Sequence, residues 1–402
     1  MKRLGTELRL KRLTQSTCAG CDAQGAFLRS SRPPYEALRP RVRLVDIFAG
    51  CGGLSLGVAE AAHQLDLGID VRLAIDMDED AVAVYKANFP GGNVQQVLVE
   101  DLFNGKCGGA FTTVEKRVAK EVGEVDVLVG GPPCQGHSDL NNHTRRNDPR
   151  NALYSRMARA AEVLQPTLVL IENVPRVMRD VAKVVDATTR ALSTAGYDVC
   201  ETVLDLGHLG VPQRRRRHVV LASRRSEVDP KSILSDLESP CLDHLPRSSR
   251  WAIVDLLNVE PVRLLDTPSK QSRDNAKRIG WLFKRGEYDL PNSRRPDCHK
   301  SDHTYKSMYG RLRWREPAQT VTTGFGSMGQ GRYVHPSRRR TLTPHEAARL
   351  QMLPDFWDFQ MVRSRGALAL LSQRRRGNEL SPSMTASKTA GKAWAGAPTY
   401  AT

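Results

Sequence analysis

The chain has 402 residues, enough for one large domain and a smaller one, and a hydrophobic fraction of 40% supports a buried core. Its apolar runs are too short to cross a membrane, and its 8 cysteines are scattered, which argues against both a membrane protein and a disulfide scaffold. The net charge is +16, from 60 basic and 44 acidic residues, and the arginines cluster at Arg214–Arg217, Arg224-Arg225, Arg294-Arg295 and Arg338–Arg340. Such clusters suit phosphate contacts and guanine edges and favour a polyanionic partner.

Residues 1–40 carry no core pattern and read as a basic, poorly ordered leader. The start, Met1-Lys2-Arg3-Leu4, lacks the apolar stretch of a signal peptide, so a cytoplasmic location is expected. Cys18-Ala19-Gly20-Cys21 forms a CxxC without a second pair at zinc spacing, and Cys298, His299 and His303 read as a polar loop, so no metal is expected.

From residue 41 strands and helices alternate. Val42–Ile47 reads as a strand, Leu54–Gln64 as a helix, Val71–Ile75 as a strand and Asp80–Asn88 as a helix. Val125–Val129 reads as a strand, Asn151–Leu164 as a helix, Thr167–Ile171 as a strand and Val181–Ala195 as a helix. Val199–Leu204 and Val219–Ala222 read as further strands. This rhythm predicts an α/β fold, a Rossmann-like, mostly parallel, doubly wound sheet over residues 41–224. Prolines, arginines and short apolar pieces break the rhythm and predict a smaller irregular lobe over 225–304. Residues 305–360 read as a return to the α/β domain, with a helix over Pro344–Met352 capped by Thr343 and carrying Glu346 in its first turn. From 361 to 402 the sequence turns to serine, arginine, alanine and glycine, an atypical tail.

Three strand ends carry chemistry. The first strand runs into Asp46-Ile47-Phe48-Ala49-Gly50-Cys51-Gly52-Gly53-Leu54, whose glycines let backbone approach a cofactor at a helix N-terminus. The spacing differs from GxGxxG and is nearer the F-x-G-x-G-G form of methyl-donor sites. Asp76 ends the next strand, where an acid can accept hydrogen bonds from ribose hydroxyls, and Asp101 is placed to accept from an adenine amino group. Val125–Val129 runs into Gly130-Gly131-Pro132-Pro133-Cys134-Gln135-Gly136, which throws a thiol onto a rigid loop at the strand's carboxyl end, the ligand edge of an open α/β sheet. Glu172-Asn173-Val174 closes a further strand and would share that crevice. In Gln213-Arg214-Arg215-Arg216-Arg217, strand alternation sends Arg215 and Arg217 to one face.

Together these residues resemble the cytosine-C5 DNA methyltransferase family, over about residues 42–223 and 305–360. The cofactor loop is similar to Asp46–Gly57, the nucleophile loop to Gly131–Gly136, the Glu-Asn-Val to Glu172–Val174, and the Gln-x-Arg-x-Arg to Gln213, Arg215 and Arg217. Tyr309-Gly310-Arg311 and Pro317–Thr323 resemble the segment where the target lobe rejoins the core, and Arg340–Gln351 is similar to the family's following helix. The resemblance implies a class I methyltransferase fold with 225–304 as target-recognition lobe, S-adenosylmethionine as donor, and a cytosine flipped from double-stranded DNA as substrate. It implies Cys134, Glu172, Arg215 and Arg217 as catalytic residues, and Phe48, Gly50, Gly52, Gly53, Leu54, Asp76, Met77, Asp101 and Pro132 as donor-binding residues. A monomer working alongside a cognate restriction endonuclease is expected.

The chain departs from the family at His137, where an aromatic residue is common, and at Met77, where a larger ring sometimes covers the adenine. The family's Gly-Asn-x-Val-Pro and closing helix are replaced by Gly377-Asn378-Glu379-Leu380-Ser381-Pro382 and a polar, alanine-rich end. Two other readings therefore stand beside the active DNA enzyme: a DNA-binding relic that has lost donor closure, and an RNA cytosine-C5 methyltransferase.

Overall fold

The computed structural model describes residues 25–133, 153–180, 182–238, 247–300 and 308–359. Two compact units are distinguished. The first comprises Pro33–Asp205, Arg216–Ser239 and the chain from Asp358; the second comprises the chain up to Arg32, Leu206–Arg215 and Pro240–Trp357.

The first unit is built on a seven-stranded sheet. Its strands are β1 (Arg41–Ile47), β2 (Gly68–Asp76), β3 (Val94–Gln96), β4 (Val127–Gly130), β5 (Leu168–Asn173), β6 (Asp198–Asp205) and β8 (Arg216–Ser223), in the order β3-β2-β1-β4-β5-β8-β6. The pairs β1·β2, β1·β4, β2·β3 and β4·β5 are parallel, and β8 runs antiparallel to both β5 and β6. The sheet is thus the mostly parallel, Rossmann-like sheet expected. Leu44, Val45, Ile47, Leu128, Val129, Val169 and Ile171 are buried, as the apolar runs require of central parallel strands covered on both faces. Each such side chain contributes roughly 1.5–3 kcal/mol of burial energy.

Helices α1 (Gly53–Gln64), α2 (Glu79–Asn88), the short α3 (Val99–Leu102), α4 (Thr113–Val122), α5 (Tyr154–Leu164), α6 (Val184–Thr194) and α7 (Pro230–Glu238) complete this unit. Local sequence explains their starts. The Asp78 side chain accepts from the Ala81 N–H to cap α2, and Thr112 with Glu115 forms a capping box on α4. Helix α4 was not legible beforehand, because only Val114, Val118 and Val122 relieve a charged stretch. The helix expected over 181–195 starts later, since Pro175–Arg179 takes a separate 3₁₀ turn first. Where the chain returns at Asp358 it meets α2. Asn88 Nδ2 donates to the Asp358 carbonyl (2.9 Å), and the Asp358 N–H donates to Asn88 Oδ1 (2.8 Å).

The second unit has little regular structure: β7 (Gln213–Arg214) pairs in parallel with β9 (Ala318–Gln319), beside helices α8 (Ser249–Ile253), α9 (Arg273–Arg285) and α10 (Pro344–Arg349). Ala252, Ile253, Leu312, Val321, Phe325 and Leu342 form one apolar cluster, and Ile279, Leu282, Leu290, Met328 and Val334 another. Helix α10 starts on the expected Thr343/Glu346 capping box and ends at Arg349, short of the expected Met352, which stands at φ 63. Ion pairs with at least one buried partner tie this unit together. Arg340 grips Glu346 through two 2.7 Å hydrogen bonds, and His345 lies between Asp266 and Asp355, each 2.7 Å away. Among the described residues no helix is long and apolar enough to cross a membrane.

Candidate active site

The strand order reverses between β1 and β4, and in open α/β sheets ligands bind at the carboxyl ends of the strands beside that point. Four segments leave the first unit's sheet there: the glycine loop after β1, the Asp76 turn after β2, the Pro132-Pro133 loop after β4 and Glu172-Asn173 at the end of β5. Gly130 closes β4 because a Cβ there would lie 2.5 Å from the Ile47 carbonyl of β1.

The glycine loop is held from below by a buried polar chain. Tyr85 of α2 and Ser55 of α1 share a 2.6 Å hydroxyl contact, and Ser55 Oγ donates to Asp46 Oδ2 at 2.6 Å. Asp46 is fully buried, and its Oδ1 has no hydrogen-bond partner among the described residues. Burial pushes its carboxyl up to about 8, partly offset by the Ser55 bond, so it is held protonated at neutral pH. Gly52 stands at φ 89 with its Cα against the Tyr85 and Phe89 rings; a Cβ would lie 3.0 Å from Tyr85. Gly52 also caps α1, whose first turn has no acidic residue, so that positive helix end keeps room for an anionic group.

Asp76 crosses to the same loop. One carboxylate oxygen accepts from the Gly50 N–H (2.8 Å) and the other from the Asp78 N–H (2.9 Å), while burial raises its pKa to about 6. Phe48 stands at φ 62 and packs against the sheet's core, and Gly50, Gly53 and Leu54 are buried. Met77 is half-buried directly after Asp76, whereas Asp101 lies exposed in α3.

The acid at the end of β5 is matched by a cation on β8. Glu172 lies opposite Val219, so Arg217, two residues along, falls on the same face. The Arg217 Nε donates to Glu172 Oε1, with both side chains nearly fully buried (6% and 4% exposed). In so dry a setting this bond fixes the position of the Glu172 side chain. Asn173, adjacent, donates from Nδ2 to the Pro132 carbonyl at 3.1 Å and accepts the Val174 N–H at 2.8 Å. The end of β5 is thereby bonded to the loop that leads to Cys134. Cys134 itself lies outside the described residues, as do His137, Cys18, Cys21, His303 and the tail from 360.

Burial alternates as the strand reading requires: Arg214 and Arg216 are exposed, Arg215 and Arg217 buried. Arg215, which belongs to the second unit, reaches Gln213 Oε1 at 3.4 Å. Gln213 is a tie within that unit, donating to the Leu350 carbonyl (3.1 Å) and accepting the Val321 N–H (3.2 Å). His299 meets the Tyr309 hydroxyl at 2.6 Å. Sequence reasoning missed Ser55, Tyr85 and the anchoring role of Asn173. A polar residue next to apolar helix positions was the available signal for the first two, and its partners became visible only with the fold.

The family model for C-5 cytosine-specific DNA methylase matches residues 42–385. Type II methyltransferase M1.BsuMI of Bacillus subtilis (strain 168) is 44% identical over 336 residues, covering 83% of this chain and 78% of that protein. Type II methyltransferase M1.HphI of Haemophilus parahaemolyticus is 29% identical over 350 residues, covering 84% and 83%. The crystal structure of S. pombe Dnmt2 methyltransferase superposes with a TM-score of 0.54 at 17% identity, covering 82% of this chain and 92% of that one, a likeness of fold. A glycine loop on a parallel strand, a buried Glu172–Arg217 pair and a family match across most of the chain lead to one assignment: the chain belongs to the C-5 cytosine-specific DNA methylase family and is a DNA (cytosine-5-)-methyltransferase.

Proposed function

We propose that the chain methylates C5 of a cytosine flipped out of double-stranded DNA, using S-adenosylmethionine, through a covalent bond between Cys134 and C6. The residues present fit the donor. The glycine loop has no side chain over Gly52, the α1 end beside it has no acid in its first turn to compete with a carboxylate, and Asp76 offers a buried acid at the end of β2. Phe48, Gly50, Gly52, Gly53, Leu54, Asp76, Met77, Asp101 and Pro132 would hold S-adenosylmethionine, which supplies an electrophilic methyl on a sulfonium.

The chain's own residues make the acceptor. Cytosine C5 is a poor nucleophile until C6 is attacked. The Cys134 thiolate adds to C6 while Glu172 gives a proton to N3, leaving an enamine whose C5 is nucleophilic. After methylation, the C5 proton passes to water, the Cys134 thiolate leaves C6 and N3 returns its proton to Glu172, which restores the ring. Arg217 holds Glu172 in place, and Arg215 is assigned a catalytic role. The observation that carries this reading is the Glu172–Arg217 pair, with neighbouring Asn173 bonded to the Pro132 loop that leads to Cys134.

We assign target recognition to residues 225–304, with 41–224 and 305–360 as the catalytic part, and take the enzyme to act in the cytoplasm as a monomer beside a restriction endonuclease. The test is incubation of DNA containing 5-fluorocytosine with S-adenosylmethionine. A denaturation-resistant adduct is expected with the natural chain and none with Cys134→Ser. Equal adducts with the serine variant, or adducts on RNA alone, would overturn the proposal. The relic reading rests on the atypical tail, and a rise in melting temperature on adding S-adenosylmethionine would eliminate it.

A further inference from the structure

Helix α9 buries only Ile279 and Leu282. Its 13 residues hold five Lys or Arg and one acid, Asp274. At 3.6 residues per turn, Arg273, Lys277 and Lys284 fall within a sector roughly 40° wide, opposite Leu282. All three are exposed, and none has an ion-pair partner among the described residues. Other arginines of the same unit are committed: Arg332 pairs with Asp289, Arg340 with Glu346 and Arg349 with Asp355. Arg278 on the same helix is likewise bonded, to the Arg294 carbonyl and to Asn275, whereas Arg273, Lys277 and Lys284 are not in any ion pair among the described residues.

Two neighbours extend the face. Gly280 lies on the same side, and a Cβ there would meet nothing within 4 Å, so packing does not call for glycine. A glycine inside a helix is unfavourable, yet here it leaves bare peptide between the cations, where another backbone can come close. Arg294, exposed, stacks on the Trp281 ring at 5.1 Å and adds a further cation beside the stripe.

We propose that this face of α9 grips the sugar–phosphate backbone of duplex DNA without regard to sequence. The inference rests on the DNA reading above and adds to it a named surface. Exposed cations aligned on one helix face, with bare backbone between them, suit contacts to successive phosphates, each contact displacing condensed counterions.

The test is binding of the full chain to a fluorescent duplex across a salt series. Each phosphate contact contributes about −0.9 to the slope of log K against log salt. The variant R273Q/K277Q/K284Q is expected to flatten the wild-type slope by about 2.7 and to weaken binding at least roughly tenfold at low salt. K116Q/R117Q/K120Q, on exposed positions of α4, removes the same charge and is expected to keep the wild-type slope. Gly280→Ala is expected to raise the melting temperature while weakening binding. An unchanged slope in the α9 variant would overturn the proposal and point to an acidic protein as the occupant. Equal flattening in both triple variants would overturn it too, as a net-charge effect. A natural chain that fails to bind the duplex would bring down the DNA reading itself, whereas binding that ignores the α9 changes brings down only this surface.

Discussion

The two compact units handle charge in opposite ways. In the first, the acids near the strand ends are deeply buried and individually bonded: Asp76 to two backbone N–H groups, Glu172 to Arg217, and Asp46, held neutral, to Ser55. In the second, charge is abundant and absorbed by stacking and by networks. Arg311 lies between the Phe283 ring at 4.5 Å and the Tyr288 ring at 4.3 Å, and Arg295 lies over Tyr309 at 5.9 Å. Burial with a single partner fixes geometry and shifts proton affinity, which suits chemistry. Stacking on aromatic rings leaves guanidinium edges free to donate, which suits a surface that meets a polyanion.

This contrast can be broken or sharpened by substitution, starting with the largest expected effect. Glu172→Gln keeps shape but removes the proton donor, and kcat should fall by roughly 10²–10⁴ while duplex binding is retained. An unaltered kcat would remove Glu172 from the chemistry. Gly52→Ala places a methyl against Tyr85 at positive φ, and should destabilise the first unit by about 1–3 kcal/mol and abolish the donor-induced rise in melting temperature.

The third effect is a pH dependence. Asp46 and Asp76 have folded pKa values of about 8 and about 6, above the ordinary 3.8, because burial penalises their charge. Between the unfolded and folded values the native state keeps protons that the unfolded chain has lost, so stability falls as pH rises through this window, by at most about 1.4 kcal/mol per pH unit for each proton. Asp46→Asn should flatten that decline between about pH 4 and 8 in urea unfolding. His345 in the second unit also loses stability with rising pH, for a different reason. Burial lowers its proton affinity, but the bonds to Asp355 and Asp266 outweigh this and raise it, so its contribution is present in acid and lost as the imidazolium deprotonates. His345→Gln should remove that loss and leave the Asp46 decline intact. Smallest of all, Arg311→Leu should cost about 0.5–2 kcal/mol, the range of a partly desolvated cation–π contact.

Much of the first unit was legible because strand and helix periods are local. Val42–Ile47 and Leu54–Gln64 were placed to within a residue of β1 and α1, and the Thr343/Glu346 cap was read directly. Pairing was not legible. That β8 returns antiparallel between β5 and β6, and so sets Arg217 on the face of Glu172, depends on contacts 45 residues apart in the chain. The second unit was hardest, since α9 has only Ile279, Leu282 and its flanking aromatics to signal a helix among charged residues. Asp46 shows the same limit on a small scale: its position was visible, but the Ser55–Tyr85 chain that explains its proton was not.

The junction between Asn88 and Asp358 has one more consequence. Both hydrogen bonds join the asparagine side chain to main-chain atoms of residue 358, so any residue there except proline can make them. A connection of that kind transmits direction and position but no sequence information. A change of side chain at position 358, proline excepted, therefore leaves both of these bonds to α2 in place.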